Sequence, residues 1–469
     1  MMERTRLSPS LLNLITDFEQ SLTDGINTAL DERAYAQIVE YYESENRQDR
    51  AVEVVDRAIN QFPQNLEFHK LKTNLLIKSR RFDEAHKTIN NAEINEPFNV
   101  DLLLLRARVL AGQNKFDQAF DIVDDVKSYA DKDDETKAFL TEAEVADLSQ
   151  DYEQMFQALK NALIVDPENA FALELIKKAV NLSRQHYEES ILIHTVIVEN
   201  HPYCAKAWYN LGHSYAFVLE YENAIEALEY AFLVDPSLEE AYNDCAEFCM
   251  EINEFQRAEI ILQEAMMQFE YNYDSLYNLA LCQYHVGKIE ESKRTLFEAM
   301  QLEPYCEELH FLMAKCDMKD GNWLGAIQML EKAIDLNDQI EEYYFHLGQV
   351  YEKINKEAKA NVFYRKAAFQ GEEQSYYWEE YILFLIRKGD LEVADKYIKI
   401  SAEFTYSTGI GYLEVATKLK RGNRNEGIKL LTELILEDFN STDILLRADK
   451  SLSSDTEVMS IIKYYEQEQ

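Results

Sequence analysis

Residues 205–238 read AKAWYNLGHSYAFVLEYENAIEALEYAFLVDPSL. Trp208, Leu211, Gly212 and Tyr215 fall at i, i+3, i+4 and i+7, which is one apolar stripe of a helix. Ala224, Leu228 and Ala231 form the matching stripe of a second helix. Asp235-Pro236 ends it, because proline disfavours helical geometry in the residue before it. The stretch predicts a helical hairpin. His213 and Ser214 are letters familiar from catalysis, but neighbours on one helix point about 100° apart and cannot act as base and nucleophile on each other.

The hairpin recurs. Six of the seven prolines stand at 63, 97, 167, 202, 236 and 304, with differences of 34, 70, 35, 34 and 68. Ser190, Ala224, Ala258, Ser292, Ala326, Ala360 and Ala394 are spaced by 34, as are Ala51, Ala85 and Ala119 upstream, and Ala231, Ala265, Ala299, Ala333 and Ala367 keep a second register at the same step. A fixed period between 20 and 50 residues predicts a solenoid, and two small residues per period allow paired helices to pack closely.

In this frame the chain resembles the tetratricopeptide repeat family, whose pattern has Trp, Leu, Gly, Tyr, Ala, Phe, Ala and Pro at positions 4, 7, 8, 11, 20, 24, 27 and 32. Trp208, Leu211, Gly212, Tyr215, Ala224, Ala231 and Pro236 match it, with Leu228 at the Phe position. Units are placed at 32–65, 66–99, 100–135, 136–169, 170–204, 205–238, 239–272, 273–306, 307–340, 341–374, 375–408 and 409–441, between helical caps at 1–31 and 442–469. The resemblance implies an all-α, right-handed α-α superhelix of about twelve hairpins with first helices lining the concave side. The N-terminal cap is expected to start at Ser8-Pro9 and to cover the first hairpin with Leu11, Leu12, Ile15, Phe18 and Leu22. Ser454 to Glu457 reads as a capping box for the last helix. ADKDDE at 130–135 reads as an acidic linker and STGIGYLE at 407–414 as an inter-unit turn. Met155 at position 20 of the fourth unit and Lys177 at position 8 of the fifth depart from the pattern, so irregular packing is expected there.

Composition narrows the partners. The chain has 47 Lys+Arg against 86 Asp+Glu, a formal charge of −39, which repels phosphate backbones and anionic lipid. No run approaches the roughly 18 apolar residues of a membrane span, and MMERTRLSPS lacks the pattern of a secretory signal. The expected partners are proteins or peptides of basic character, with neither nucleic acid nor membrane insertion, in the cytoplasm. Homo-oligomerisation is left open. The six cysteines have no CxxC spacing, although Cys245 and Cys249 lie one turn apart, and His186, His194 and His201 fall in different parts of one hairpin. No metal or cofactor is expected, and the absence of nucleotide-binding, zincin and nucleophile-elbow motifs argues against an enzyme.

Once the core positions are removed, positions 2, 5, 6, 9, 12 and 13 of each first helix are left to meet a ligand. A recognition set of rings, amides and imidazoles occupies them: Tyr209, Asn210, His213, Phe217, Asn243, Tyr277, Asn278, Tyr284, His285, Phe311, Phe345, His346 and Gln349. Asn210 and Asn278, at position 6, resemble an asparagine ladder that holds extended polypeptide. Glu240, Asp274, Glu308 and Glu342 recur at position 2 as an acidic rim, where the helix dipole also favours carboxylates. Lys70, Asn74 and Lys137 resemble part of a chaperone carboxylate clamp, with Leu105 and Thr141 at two of its other places. The leading expectation is a non-enzymatic adaptor whose groove binds an extended basic segment. The alternatives are a constitutive subunit of a complex or homo-oligomeric array, and a regulatory array that responds to a ligand.

Overall fold

The first helix of a hairpin starts where a short side chain can accept from backbone N–H groups that have no partner within the helix. Asp31, Asn65, Asn99, Asn169 and Asn272 do this for the helices Glu32–Ser44, Leu66–Lys78, Val100–Gly112, Ala170–Ser183 and Tyr273–Val286. The computed structural model describes residues 9–23, 29–94 and 96–466. Among them are twenty-seven α-helices and one short 3-10 turn, with no strand, so the fold is all-α. Ser8 and the side chain of Leu22, both assigned above to the N-terminal cap, lie outside the described residues.

Each hairpin turns through a left-handed residue, and the hairpin that turns at Arg184 has a second in His186. Asn46, Arg80, Asn114, Gln150, Arg184, Leu219, Asn253 and Asn355 take positive φ, as do Gly287, Gly321, Gly389 and Gly422. Their numbers step by 33 to 36, so the backbone repeats the period of the small residues. A non-glycine residue pays for this geometry, most plainly Leu219, whose side chain is exposed and gains nothing from burial in return.

A second recurring device anchors five of the first helices to the loop before them. The position-4 side chain donates to a carbonyl six residues back: Trp208 Nε1 to Pro202 O at 2.9 Å, Tyr344 Oη to Asp338 O at 3.1 Å, and Trp378 Nε1 to Glu372 O at 2.9 Å. His310 Nε2 meets Pro304 O at 3.1 Å, and His69 Nε2 meets Pro63 O at the same distance. Within the hairpin, helices approach closely at position 8. A Cβ on Gly212 would lie 2.7 Å from Leu228 Cγ, and one on Gly348 would lie 2.9 Å from the Tyr364 ring.

The chain gathers into two compact units, one up to Phe248 and the other from Cys249 onward. In the first, Tyr35, Ile38, Val55, Leu75 and Leu76 form one buried cluster, and Phe156, Leu159, Ile176, Ala179 and Leu211 another. Met155 is fully buried in the latter, so its hairpin accommodates the larger side chain in its core. In the second, Trp378, Tyr381, Phe384, Tyr412 and Leu413 centre one large cluster, and Leu276, Leu296, Leu309 and Leu312 belong to another.

Three local expectations are corrected. Residues 132–135 are the first turn of the helix Lys132–Ser149, with Asp131 as its cap, because carboxylates suit a helix N-terminus better than a linker. STGIGYLE begins the helix Thr408–Lys420 and is capped by Ser407. The last helix, Thr456–Glu466, is capped by Asp455, which accepts from Glu457 N and Val458 N at 3.1 Å, and Ser454 belongs to the preceding 3-10 turn.

Candidate functional site

In the first unit, side chains from three successive first helices meet in one polar cluster. Lys177 Nζ donates to Tyr209 Oη at 2.8 Å and lies 3.0 Å from His213 Nε2. Tyr209 Oη donates to Asp244 Oδ2 at 2.9 Å, and His213 Nε2 lies 2.7 Å from the same oxygen. Burial pushes the Lys177 ammonium below its usual range and the Tyr209 phenol above its own. Burial also works to raise the Asp244 carboxyl, but hydrogen bonds from His213 and Tyr209 outweigh it and hold the group low. Asp244 is therefore the anion that ties the three helices together.

Replacing Asp244 with Ala leaves Tyr209 and His213 without their acceptor and is expected to cost about 1–3 kcal/mol of stability. A double-mutant cycle with His213→Ala, read by urea unfolding, is expected to show coupling of about 0.5–3 kcal/mol. Strictly additive losses would mean that the cluster does not act as a unit.

The clamp residues come together around a different feature. Asp101 sits between the two lysines, with Oδ2 2.8 Å from Lys70 Nζ and Oδ1 3.1 Å from Lys137 Nζ. Asn74 Oδ1 accepts from Arg108 at 3.0 Å. Lys70, Asn74, Asp101, Arg108 and Lys137 line a cavity of 480 Å³, in which the chain's own carboxylate holds both lysines. Hydrogen bonds from Lys70 above all, and then from Lys137, keep Asp101 below the usual carboxylate range.

Several predicted groove residues face inward. Asn210 is 2% exposed, its Nδ2 donates to Leu173 O at 2.7 Å, and its Oδ1 is buried without a partner. It packs between neighbouring helices beside buried His194 rather than standing in a ladder. Tyr209 is 7% exposed with its hydroxyl committed to Lys177 and Asp244. Phe345 is 3% exposed, because Tyr364, Tyr376 and Tyr377 close around it. Phe217 remains exposed and stacks on Tyr187 with centroids 4.8 Å apart, and Asn243 is exposed. Tyr277 and Asn278 are half-buried.

Glu240, Asp274 and Glu308 are exposed in the first turns of their helices, and Glu342 is half-buried, held low by a hydrogen bond from His346. His186 lies between Glu153 and Glu189, and His201 lies 3.3 Å from Glu168. Cys245 and Cys249 are buried.

A cavity of 810 Å³ lies in the second unit. Four successive first helices contribute to it: Tyr284 from Tyr273–Val286, Lys315 and Lys319 from Glu307–Lys319, His346, Gln349 and Glu352 from Glu341–Lys353, and Phe384 and Arg387 from Ser375–Lys388. The predicted Tyr284 and His346 are thus brought together, with Phe311 beside them at 5.3 Å from the His346 ring. Sequence reasoning missed the cations. Lys319, Lys353 and Arg387 share position 13 at steps of 34, as regular a signal as the acids at position 2.

Among the described residues, no helix is long and apolar enough to cross a membrane, and no group of three or more His, Cys, Asp or Glu is placed to hold a metal.

Comparison with known proteins places this geometry. A family profile described as tetratricopeptide repeat matches residues 70–134, and a second of the same description matches 205–238 and 341–368. The chain is 24% identical over 169 residues to the TPR repeat-containing protein YpiA of Bacillus subtilis (strain 168), covering 36% of this chain and 40% of that protein. It is 23% identical over 223 residues to tetratricopeptide repeat protein 16 of Mus musculus, covering 41% of this chain and 29% of that protein. The match therefore spans less than half of either relative.

Among solved structures, it is similar to a chain of the APC/C hetero-tetramer Cut9-Hcn1, at 14% identity and a TM-score of 0.38, over 93% of this chain and 92% of that one. It is also similar to YrrB, titled a TPR protein with an unusual peptide-binding site, at 19% identity and a TM-score of 0.33, over 38% and 91%. The profile matches fall on hairpins that the 34-residue register defines, and those stretches of the chain are tetratricopeptide repeats.

Proposed function

We propose that the chain is a non-catalytic interaction scaffold that holds a segment of a partner protein across the first helices of its second unit. One observation carries the reading: four successive first helices deliver side chains to a single 810 Å³ cavity. That volume lies in the range of sites that enclose a ligand, and its wall mixes rings with amide and charged groups that can fix orientation. Outside the cavity, the net charge of −39 and exposed Glu240, Asp274 and Glu308 favour basic residues in the partner.

The test is affinity capture with the full chain from its native cell, comparing wild type with His346→Ala and Gln349→Ala combined. Partners are expected to fall at least tenfold in yield, the result of losing about 1.4 kcal/mol of binding, while the circular dichroism spectrum stays unchanged. Retention of every partner at wild-type level would remove the cavity from the binding site.

A further inference from the structure

The wall of the large cavity has the wrong sign for this chain. Acids outnumber bases 86 to 47 overall, yet the lining holds six cations, Lys315, Lys319, Lys353, Arg387, Lys388 and Arg447, against the carboxylates Glu352, Glu357 and Glu380. Each of those carboxylates is already engaged. Glu352 lies 3.0 Å from Arg387 and accepts from Tyr364 Oη at 2.7 Å, Glu380 accepts from Arg447 at 2.5 Å, and Glu357 lies 4.0 Å from Lys388, whose nearer partner is Asp390 at 3.0 Å. Six cations less three leaves a surplus of three.

The surplus consists of Lys315, Lys319 and Lys353, for which the described residues supply no carboxylate within 4 Å. Rings and a carbonyl hold two of them in place. Lys319 Nζ lies 3.7 Å from the centre of the Tyr284 ring and donates to Tyr284 O at 3.1 Å. Lys315 Nζ lies 5.6 Å from the same ring and 5.3 Å from that of Phe311. These contacts position an ammonium without neutralising it, so the charge stays available to a ligand. Lys353 is exposed at the next hairpin. Lys70, by contrast, is matched by Glu67 and Asp101, Lys127 by Asp124 and Glu142, and Lys293 by Asp317 and Asp320.

The local field is felt by a neighbour. The His285 imidazole is pushed below its ordinary range by burial first, and then by Lys315 and Lys319. The acidity of the rest of the chain does not cancel this at working salt, because charges separated by more than about 8 Å are largely screened at 0.15 M. Cations at one position of successive repeats, Lys319, Lys353 and Arg387, also suit a ligand that crosses several helices better than a single small ion.

We propose that this cavity takes an acidic segment of polypeptide, whose side-chain carboxylates seat against Lys315, Lys319 and Lys353. The inference rests on the cavity being the partner site and names the chemistry of what enters it. It reverses, for this site alone, the basic partner expected from net charge.

The experiment is fluorescence anisotropy on the full chain at 0.15 M salt, with labelled ten-residue peptides rich in Glu and Asp, rich in Lys and Arg, or built of Ser and Gln. The acidic peptide is expected to bind tightest. Lys315→Gln, Lys319→Gln and Lys353→Gln combined are expected to weaken it by about tenfold, the sum of three partly exposed ion pairs. Lys353→Gln alone, which touches no structural partner, is expected to weaken it about twofold to threefold. Lys429→Gln, on an exposed lysine of the helix Arg424–Glu437, is expected to leave binding unchanged.

Equal or tighter binding of the basic peptide overturns the proposal, as does an acidic peptide that ignores the lysine substitutions or fails to bind at millimolar concentration. Partners lost from the His346 and Gln349 variant but kept by the lysine variants would leave the scaffold reading standing and reject the acidic ligand alone.

Discussion

Replacing Trp378 with Ala is expected to lower the melting temperature of the unit that carries it by roughly 10 °C. Trp378 is fully buried, stacks on Phe404 with centroids 5.8 Å apart and planes 11° apart, and meets Phe369 edge-on at 5.0 Å. Its indole N–H also ties the helix Ser375–Lys388 to Glu372 O. Truncating a buried tryptophan costs about 3–5 kcal/mol through lost transfer energy and the cavity left behind. In a unit of this size each kcal/mol moves the midpoint by about 2–4 °C. Scanning calorimetry is the measurement, with Tyr406→Ala as the control, since that ring is largely exposed. A midpoint within a degree or two of wild type would mean that the surrounding rings collapse into the gap and that the cluster has no keystone.

The second large effect is a dependence on pH. His194 is fully buried in the first unit, and burial pushes its imidazole down to about 4 against the opposing hydrogen bond with Ser190 O at 2.8 Å. Above pH 6.5 the ring is neutral in both folded and unfolded chains and costs nothing. Between pH 6.5 and about 4 the unfolded chain takes up the proton and the folded chain does not, so stability falls with pH at a slope near 1.4 kcal/mol per unit. Below about 4 both states are protonated and the slope from this residue vanishes. The window removes about 3 kcal/mol in all.

His194→Gln keeps a polar group beside Ser190 and Asn210 but does not titrate. Urea midpoints of wild type and variant are expected to converge as pH falls from 7 to 4.5, because only the wild type pays this cost. Parallel curves would assign the acid sensitivity to carboxylates elsewhere. His194 also explains why Asn210 does not reach a groove: its amide is drawn into the same buried space, 3.4 Å from the imidazole.

The hairpins were legible because their signal is redundant. Small residues, prolines and apolar stripes all carry one period, and a misread residue in any of them is outvoted. Single side chains have no such vote. Asn210 and Phe345 stand at positions that a lone helix turns outward, but Asn210 is covered by Leu173 and His194 of the preceding hairpin, and Phe345 by Tyr364 of its own hairpin and Tyr376 and Tyr377 of the next. Position in a repeat fixes direction from the axis, not what the next helix places there. Asp101 escaped notice for the same reason, as nothing in a one-dimensional pattern places it between Lys70 and Lys137. The cations at position 13 were different: their regularity was present in the letters and was overshadowed by the charge of the whole chain.

The left-handed residues at the hairpin turns bear on how such a chain folds. Each turn closes two helices that are neighbours in sequence, so the first contacts to form span fewer than 34 residues and pay little loop entropy. Low contact order of this kind goes with fast collapse from several starting points rather than a single nucleus. Turns that need no payment, at Gly287, Gly321, Gly389 and Gly422, all lie in the second unit, whereas the first relies on Asn46, Arg80, Asn114, Gln150, Arg184 and Leu219. The second unit intersperses its glycine turns with Asn253 and Asn355, so synthesis delivers the hairpins without glycine turns first and a mixture of both kinds after them.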